Sequence, residues 1–495
     1  MHTLIRGGRV IDPGSDTDAV RDILCSHGRI AAMGTGLRAP EHASIVEASG
    51  LIVGPGFVDL HSHVHSIAGQ RLQAMDGVTT ALDLESGLMP VRDAHRRAAT
   101  EGRPLNYGFS ASWAQARAYA HWGLPPSADF RVSLQLLGDP RWQRSSSPVE
   151  RRRWLDRLES ELSEGALGIG MLIGYAPDSD PDEYLDVARL AARAGAPTFT
   201  HVRELVEANP ATLIDGSVEL VRAADTTGAT MHHCHVNSTS GRHVERVLTL
   251  FDASRAAGSR VSVEAYPYGS GSTAIGARFL APEKLPGMGI TPSAITLIES
   301  GEQLTDEAHL RHVRETDPAA PCIIAFLDEE DPYDRAHLRR SLAYPDSIVA
   351  SDAMPVTWIS PGRPPRFDSD AWPLPRGGRT HPRTAGTFSK SIRLMVRESS
   401  SWSWLEAFRR CAFLPARVLD EISPAMRRKG HLGVGADADI VVLDPNALTD
   451  RATYRDPTRT SHGVRHLLVH GDAVVRGGEL LPDAFPGQGI HALPR

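Results

Sequence analysis

Gly54-Pro55-Gly56-Phe57-Val58-Asp59-Leu60-His61-Ser62-His63-Val64-His65 is the stretch from which the rest of the chain can be read. Gly54-Pro55-Gly56 signals a turn, and Phe57 to Leu60 is a short apolar run with one acid, the pattern of a buried strand. His61 and His63 follow at its end. Side chains alternate along a strand, so positions i and i+2 share a face and both imidazoles can converge on one point. Neutral imidazole is the commonest protein ligand for zinc-like metals. A His-x-His pair alone is a weak signal, because surface histidines are ordinary. Its weight comes from its place at a strand end and from the histidines that recur at similar positions downstream.

Working outward, the middle of the chain alternates. A helix-like stretch ends at Asp76-Gly77, and the strand Val78 to Glu85 follows. Further strand candidates are Leu105–Phe109, Leu167–Gly170, Pro197–His201, Thr230–His235, Val261–Tyr266 and Ser347–Asp352, with helical stretches such as Pro181–Ala194 between most of them. Strands alternating with helices imply βαβ units and parallel sheet. About eight such units make a closed (β/α)8 barrel of the α/β class, a TIM barrel, with its chemistry at the strands' C-terminal ends. The barrel is expected over 55–425, with a lid-like insertion near 278–328 and a long loop over 360–383. Residues 1–54 and 426–495 read instead as short strands and turns, including a hairpin around Gly471-Asp472. One small β-domain built from both termini is the economical reading.

Composition bounds the partners. The chain has 495 residues, 41% hydrophobic and 23% charged, which suits a barrel plus an accessory domain. A net charge of -7 and a pI near 6.3 give no reason to expect a nucleic-acid or membrane partner. The four cysteines, Cys25, Cys234, Cys322 and Cys411, lack paired spacing and read as reduced thiols in a cytoplasmic protein. A small-molecule substrate is the expected partner, and a homo-oligomer is compatible with such a chain.

His201 ends the strand after Pro197, His235 ends the strand from Thr230, and Asp352 ends the strand from Ser347. With His61 and His63 this places imidazoles from separate strands and one carboxylate on the same rim. Two adjacent metals need a bridging ligand. The only lysines, Lys284, Lys390 and Lys429, are badly placed for a carbamylated one, so Glu85, at the end of the second strand, is the best candidate. Around this set, His233 reads as a packed strand residue and Cys234 as a buried thiol. His65 is a loop or supporting histidine, and Asp83 an acid that could orient a ligand.

Pro55 to His63, Gly77-Val78-Thr79-Thr80, Ser351-Asp352 and Gly433 to Val441 resemble the amidohydrolase superfamily. More narrowly, Thr200-His201-Val202-Arg203, Tyr266-Pro267-Tyr268 with Gly271-Ser272-Thr273, and His381 to Phe388 resemble its D-aminoacylase (N-acyl-D-amino-acid deacylase) branch. The resemblance implies a barrel with a small β-sandwich and zinc-dependent hydrolysis of an amide. Two departures stand out. The branch typically carries a cysteine ligand after the second strand, where this chain has Asp83-Leu84-Glu85-Ser86-Gly87, and often a lysine where this chain has Asn237. A carboxylate is harder than a thiolate, which favours a two-metal site or other divalent ions.

The expected function is therefore a zinc amidohydrolase, with one or two Zn²⁺ ions, that cleaves an N-acyl amino acid of D configuration or a similar small N-acyl amine. His61, His63, Glu85, His201 and His235 hold metal, and Asp352 is general base and then acid. Tyr175 is a donor to the oxyanion, while Arg203, Asn237, Tyr266, Ser272, Arg278 and Arg383 are candidates to hold the substrate. Arg278 or Arg383 could replace the missing lysine, and His381 could shape the mouth or orient Asp352. The alternative is hydrolysis of a cyclic amide or imide, as in dihydroorotase- or hydantoinase-like relatives. A scaffold that has lost its chemistry would lack ligands this chain retains.

Overall fold

The structure, a computed structural model, describes residues 2–360 and 363–493. Residues 1, 361, 362, 494 and 495, which fall within the terminal spans and the 360–383 loop of the sequence reading, lie outside the described residues. Eight strands carry the fold: β1 (Phe57–Asp59), β2 (Val78–Leu88), β3 (Asn106–Ser112), β4 (Ile169–Met171), β5 (Thr198–Thr200), β6 (Met231–His233), β7 (Val261–Ala265) and β8 (Ile348–Val349). They form one sheet in the order β8-β7-β6-β5-β4-β3-β2-β1. The pairing is parallel, with Thr198 opposite both Ile169 and Met231. A parallel bridge between Ser62 and Ala353, with the His63 amide on the Ala353 carbonyl at 2.9 Å, joins the ends beyond β1 and β8 and closes the ring. This is the TIM barrel expected from the alternation. All residues of β2 and β3 are buried, as parallel strands covered on both faces must be.

Local chemistry explains the element ends. A Cβ at Gly56 would lie 2.1 Å from Thr79 Cγ2, so the turn into β1 admits only glycine beside β2. The helix Pro181–Arg193 starts at the Asp180 cap, carries Asp182 and Glu183 in its first turn and ends on Arg193, matching the helix dipole. Four strands end two or more residues from where the sequence places them. β2 runs on to Leu88 and β3 to Ser112, β6 stops at His233, and β8 is only Ile348–Val349. In the last two cases the chain turns into the left-handed region just beyond the strand, at His235 (φ 35°) and Asp352 (φ 49°).

The chain divides into two compact units. The first comprises Met1–Leu82, Arg97–Gly108 and Ile348–Ile490. Within it the two termini share a nine-stranded sheet, and the bond between them is Ile440–Leu443 antiparallel to Ile52–Pro55. An antiparallel bridge between Arg29 and Asp437 curls this sheet over a core of Ile5, Val10, Ile23, Val53, Ile440 and Leu468. The C-terminal hairpin turns at His470-Gly471, both at positive φ, one residue before the pair the sequence suggested. The stretch read as a long loop carries a small sheet of Thr357–Ser360, Arg363–Arg366 and Gly378–Arg379.

The second unit comprises Asp83–Arg96, Phe109–Ser347 and His491–Arg495. After β7 its chain forms a three-stranded sheet of Ser270–Ala274, Ile295–Leu297 and Pro321–Ala325, with the helix Glu307–Thr316 between the last two. Among the described residues no helix is long and apolar enough to cross a membrane, and all four cysteines are buried and outside any disulfide.

Candidate functional site

In the first unit, the end of β1 delivers His61 and His63 and the end of β8 delivers Asp352. His61 Nε2 lies 3.2 Å from His63 Nε2 and 3.4 Å from Asp352 Oδ1, and His63 Nε2 lies 3.6 Å from that same oxygen. All three residues are buried. In a tetrahedral zinc site with bonds of about 2.1 Å, neighbouring ligand atoms lie about 3.4 Å apart. The donor set therefore has the chemistry and the spacing of a divalent-metal site.

Both carboxylate oxygens of Asp352 have work. One faces the histidines, and the other lies 2.9 Å from Nη1 of the fully buried Arg383. Arg383 is held in turn, because its backbone amide donates to His381 Nδ1 at 3.1 Å. The left-handed backbone at Asp352 costs about 1–3 kcal/mol and persists only where surroundings enforce it. Asp59 supplies that enforcement. Its Oδ1 accepts the amides of Ser351 (3.0 Å) and His61 (3.2 Å), and its Oδ2 accepts Gln73 Nε2 (2.8 Å) and the Ser351 hydroxyl. Burial pushes the Asp59 carboxyl up to about 6, against the pull of its Ser351 and His61 bonds. The sequence reading noted this acid but gave it no role. The signal was there, since an acid inside an apolar strand must be hydrogen-bonded.

In the second unit, Glu85 on β2 meets His201, just past β5, and His235, just past β6. Glu85 Oε1 lies 2.8 Å from His235 Nε2 and 3.2 Å from His201 Nδ1, and the two rings stand at 70° with centroids 4.8 Å apart. One carboxylate oxygen thus serves two imidazoles. Ser238 Oγ sits 2.9 Å from His235 Nδ1 and leaves Nε2 for Glu85. The Tyr175 ring lies 4.7 Å from His201, its hydroxyl 2.7 Å from Thr273 Oγ1. Phe279, which the sequence did not flag, stacks on His201 at 5.7 Å. Asp83 accepts the Gly87 amide at 3.2 Å and shapes the end of β2. His233 is packed against Phe251, and burial lowers its pKa to about 3, so it is a neutral core histidine.

The structure gives two of the expected substrate-binding residues other work. Arg203 is fully buried and its guanidinium is engaged by Glu219 Oε2 (2.8 Å) and by the carbonyls of Ala176, Pro177 and Ser179. Asn237 is equally buried, accepting the Tyr266 amide and donating to the Tyr268 carbonyl. Both hold loops. Arg278 is half-exposed and paired with Asp178 at 2.7 Å. Tyr266 is buried, with its ring 6.3 Å from that of His235, and Ser272 lies mid-strand opposite Ile323.

The model of the Amidohydrolase family matches residues 44–475. N-acyl-D-glutamate deacylase of Alcaligenes xylosoxydans xylosoxydans is 29% identical over 499 residues, covering 96% of this chain and 93% of that protein. D-aminoacylase of the same organism is 28% identical, covering 98% and 96%. The crystal structure of N-acyl-D-glutamate deacylase from Bordetella bronchiseptica, complexed with zinc and a phosphonate mimic of the tetrahedral intermediate, superposes with a TM-score of 0.77 at 24% identity over 99% of both chains. At that identity the superposition speaks to the fold.

Proposed function

The chain belongs to the Amidohydrolase family, and from that premise we propose that it hydrolyses the amide bond of an N-acyl-D-amino acid with the help of zinc, as one ion or two. It is a hydrolase of C–N bonds other than peptide bonds, like the deacylases it resembles along its whole length. The observation that carries the reading is the convergence of His61, His63 and Asp352 at the spacing of zinc ligands. His61, His63, Glu85, His201 and His235 are the proposed metal holders. Such an ion, when bound, lowers the pKa of water toward ~7 and polarises the amide carbonyl.

The protein's own groups do the rest. Asp352 accepts the proton of the attacking water on Oδ1 and delivers it to the departing amine. Arg383, fixed by His381, holds the other oxygen so that the carboxylate cannot rotate away from the reacting atoms. This pairing argues against Arg383 as a grip on the substrate carboxylate. Tyr175 is the group proposed to donate to the developing oxyanion. Tyr266, Ser272 and Arg278 are the groups proposed for the remainder of the substrate.

The test is a panel of N-acetyl-D-amino acids, their L-enantiomers and cyclic imides, run with metal analysis. Hydrolysis of the D-series, abolished by chelation and restored by Zn²⁺, is expected. Turnover of cyclic imides alone would overturn the reading.

A further inference from the structure

We propose that Glu264 is the positioning residue for His235, a role that rests on the reading of His235 as a metal holder. Ser262 and Glu264 lie two apart on β7 and so share one face, which they turn toward His232 on the parallel neighbour β6. His232 Nδ1 is 2.8 Å from Ser262 Oγ, and its Nε2 is 2.9 Å from Glu264 Oε2. His232 is fully buried and Glu264 is 1% exposed. A serine hydroxyl can donate to Nδ1, which leaves Nε2–H to donate to the carboxylate. The ring thereby clamps one oxygen of Glu264 and aims the other.

That other oxygen accepts the His235 backbone amide at 3.3 Å. The bond falls where the backbone needs it. The last ladder bond toward β5 is the Cys234 amide to the Thr200 carbonyl at 3.0 Å, and the next amide, that of His235, faces β7. At His235 the chain enters the left-handed region and turns into the short helix Val236–Ser240, so its amide has left the sheet. A buried amide without an acceptor is costly. Glu264 supplies the acceptor and so selects the backbone conformation that points the His235 imidazole at Glu85.

Two conservative variants separate this role from the others open to a buried acid. In Glu264→Gln the amide oxygen can still accept the His235 N–H. Its NH₂ can donate to His232 Nε2 once that ring shifts its proton to Nδ1 and donates to Ser262. Glu264→Asp keeps the charge and loses the reach. Zn²⁺ affinity of the metal-stripped full-length protein, measured by competition with a chromophoric chelator, is expected to stay within about threefold of wild type in Glu264→Gln and to weaken about 10- to 100-fold in Glu264→Asp, the range for losing an outer partner of a metal ligand. Melting curves of the stripped proteins, followed by circular dichroism, should change less than the affinities.

A Glu264 that itself binds metal, or acts by charge, would reverse that order, with Asp tight and Gln weak, and this overturns the proposal. Equal weakening in both variants, or wild-type affinity in both, also overturns it. His235→Ala is the control: weakened Zn²⁺ binding there, with both Glu264 variants unchanged, sinks only the positioning role. Unchanged binding in His235→Ala would sink the reading of His235 as a ligand, and this role with it.

Discussion

Asp352 is the residue on which the proposed chemistry turns, because one of its oxygens faces two imidazoles and the other faces Arg383. Replacing it with asparagine keeps the size and the strand end but removes the group that takes the proton. Asp352→Asn is expected to fold, to keep most of its metal and to lose kcat by at least ~10²-fold, the lower range for removing a positioned general base. Near-normal turnover in a metal-replete variant would rule the role out. That His61, His63 and Asp352 meet was legible in the sequence from strand-end placement and residue type. Arg203 and Arg383 were not separable in the same way. Each follows a histidine by two residues, but only the folded partners show that one guanidinium is bound up by Glu219 and three carbonyls while the other reaches Asp352. Asp59 was missed for a related reason. Its partner Ser351 lies 292 residues away in sequence, beyond the reach of any local pattern.

Among the elements, the helix Val91–Glu101 makes a case for pH. It carries His95 on its buried side, where the ring lies against His491, tilted by 30° with centroids 3.7 Å apart, and meets Phe109 edge-on at 5.1 Å. Burial, with the nearby His491, drives the His95 pKa down to about 3. An unfolded histidine titrates near 6.5, so between about pH 6.5 and 3 the unfolded chain binds a proton that the folded one does not. Stability is therefore lost as pH falls through this window. At pH 5, the proton uptake on unfolding, from calorimetry in buffers of different ionisation enthalpy, should fall by about one in His95→Phe relative to wild type. An unchanged uptake would mean that His95 is charged in the fold. The alternation of strands and helices leaves room for a helix here, but nothing local places against it the His491 ring, which arrives from the far end of the chain. Strand boundaries show the same limit. β6 and β8 were identified, yet each ends early because His235 and Asp352 adopt left-handed backbone, and that conformation is imposed by distant acceptors rather than by the local residues.

For the molecule as a whole, the terminal sheet and the barrel closure ask different things of the chain. In the sheet, Lys429 is buried against Asp437 (3.0 Å) and Asp439, and Asp437 also takes Arg29 and Arg428. Burial opposes the lysine's charge, but the two carboxylates outweigh it and hold its pKa above the ordinary value. Lys429→Met leaves the buried Asp439 without its cation and is expected to cost about 3–5 kcal/mol in denaturant unfolding. A cost below about 1 kcal/mol would place the pair in effective contact with water. That both termini would share a sheet was legible from strand-like patterning at each end. The ion cluster was not, because its members come from segments 408 residues apart.

The barrel closure depends on the first and last strands, and those are the strands that carry His61, His63 and Asp352. Their donors face one another across 3.2–3.6 Å. A cation held there ties β1 to β8, and anything that binds the folded state alone stabilises it by mass action, about 2.7 kcal/mol at a free concentration 100 times the Kd. Chelation is therefore expected to lower the melting temperature as well as abolish activity, and Zn²⁺ should restore both. His63→Ala separates the two effects. It should melt near the chelated wild type and gain little from added Zn²⁺, because the donor set that closes the ring is broken. If chelation abolished turnover but left the wild-type melt unmoved, the metal would act on the chemistry without fastening the barrel.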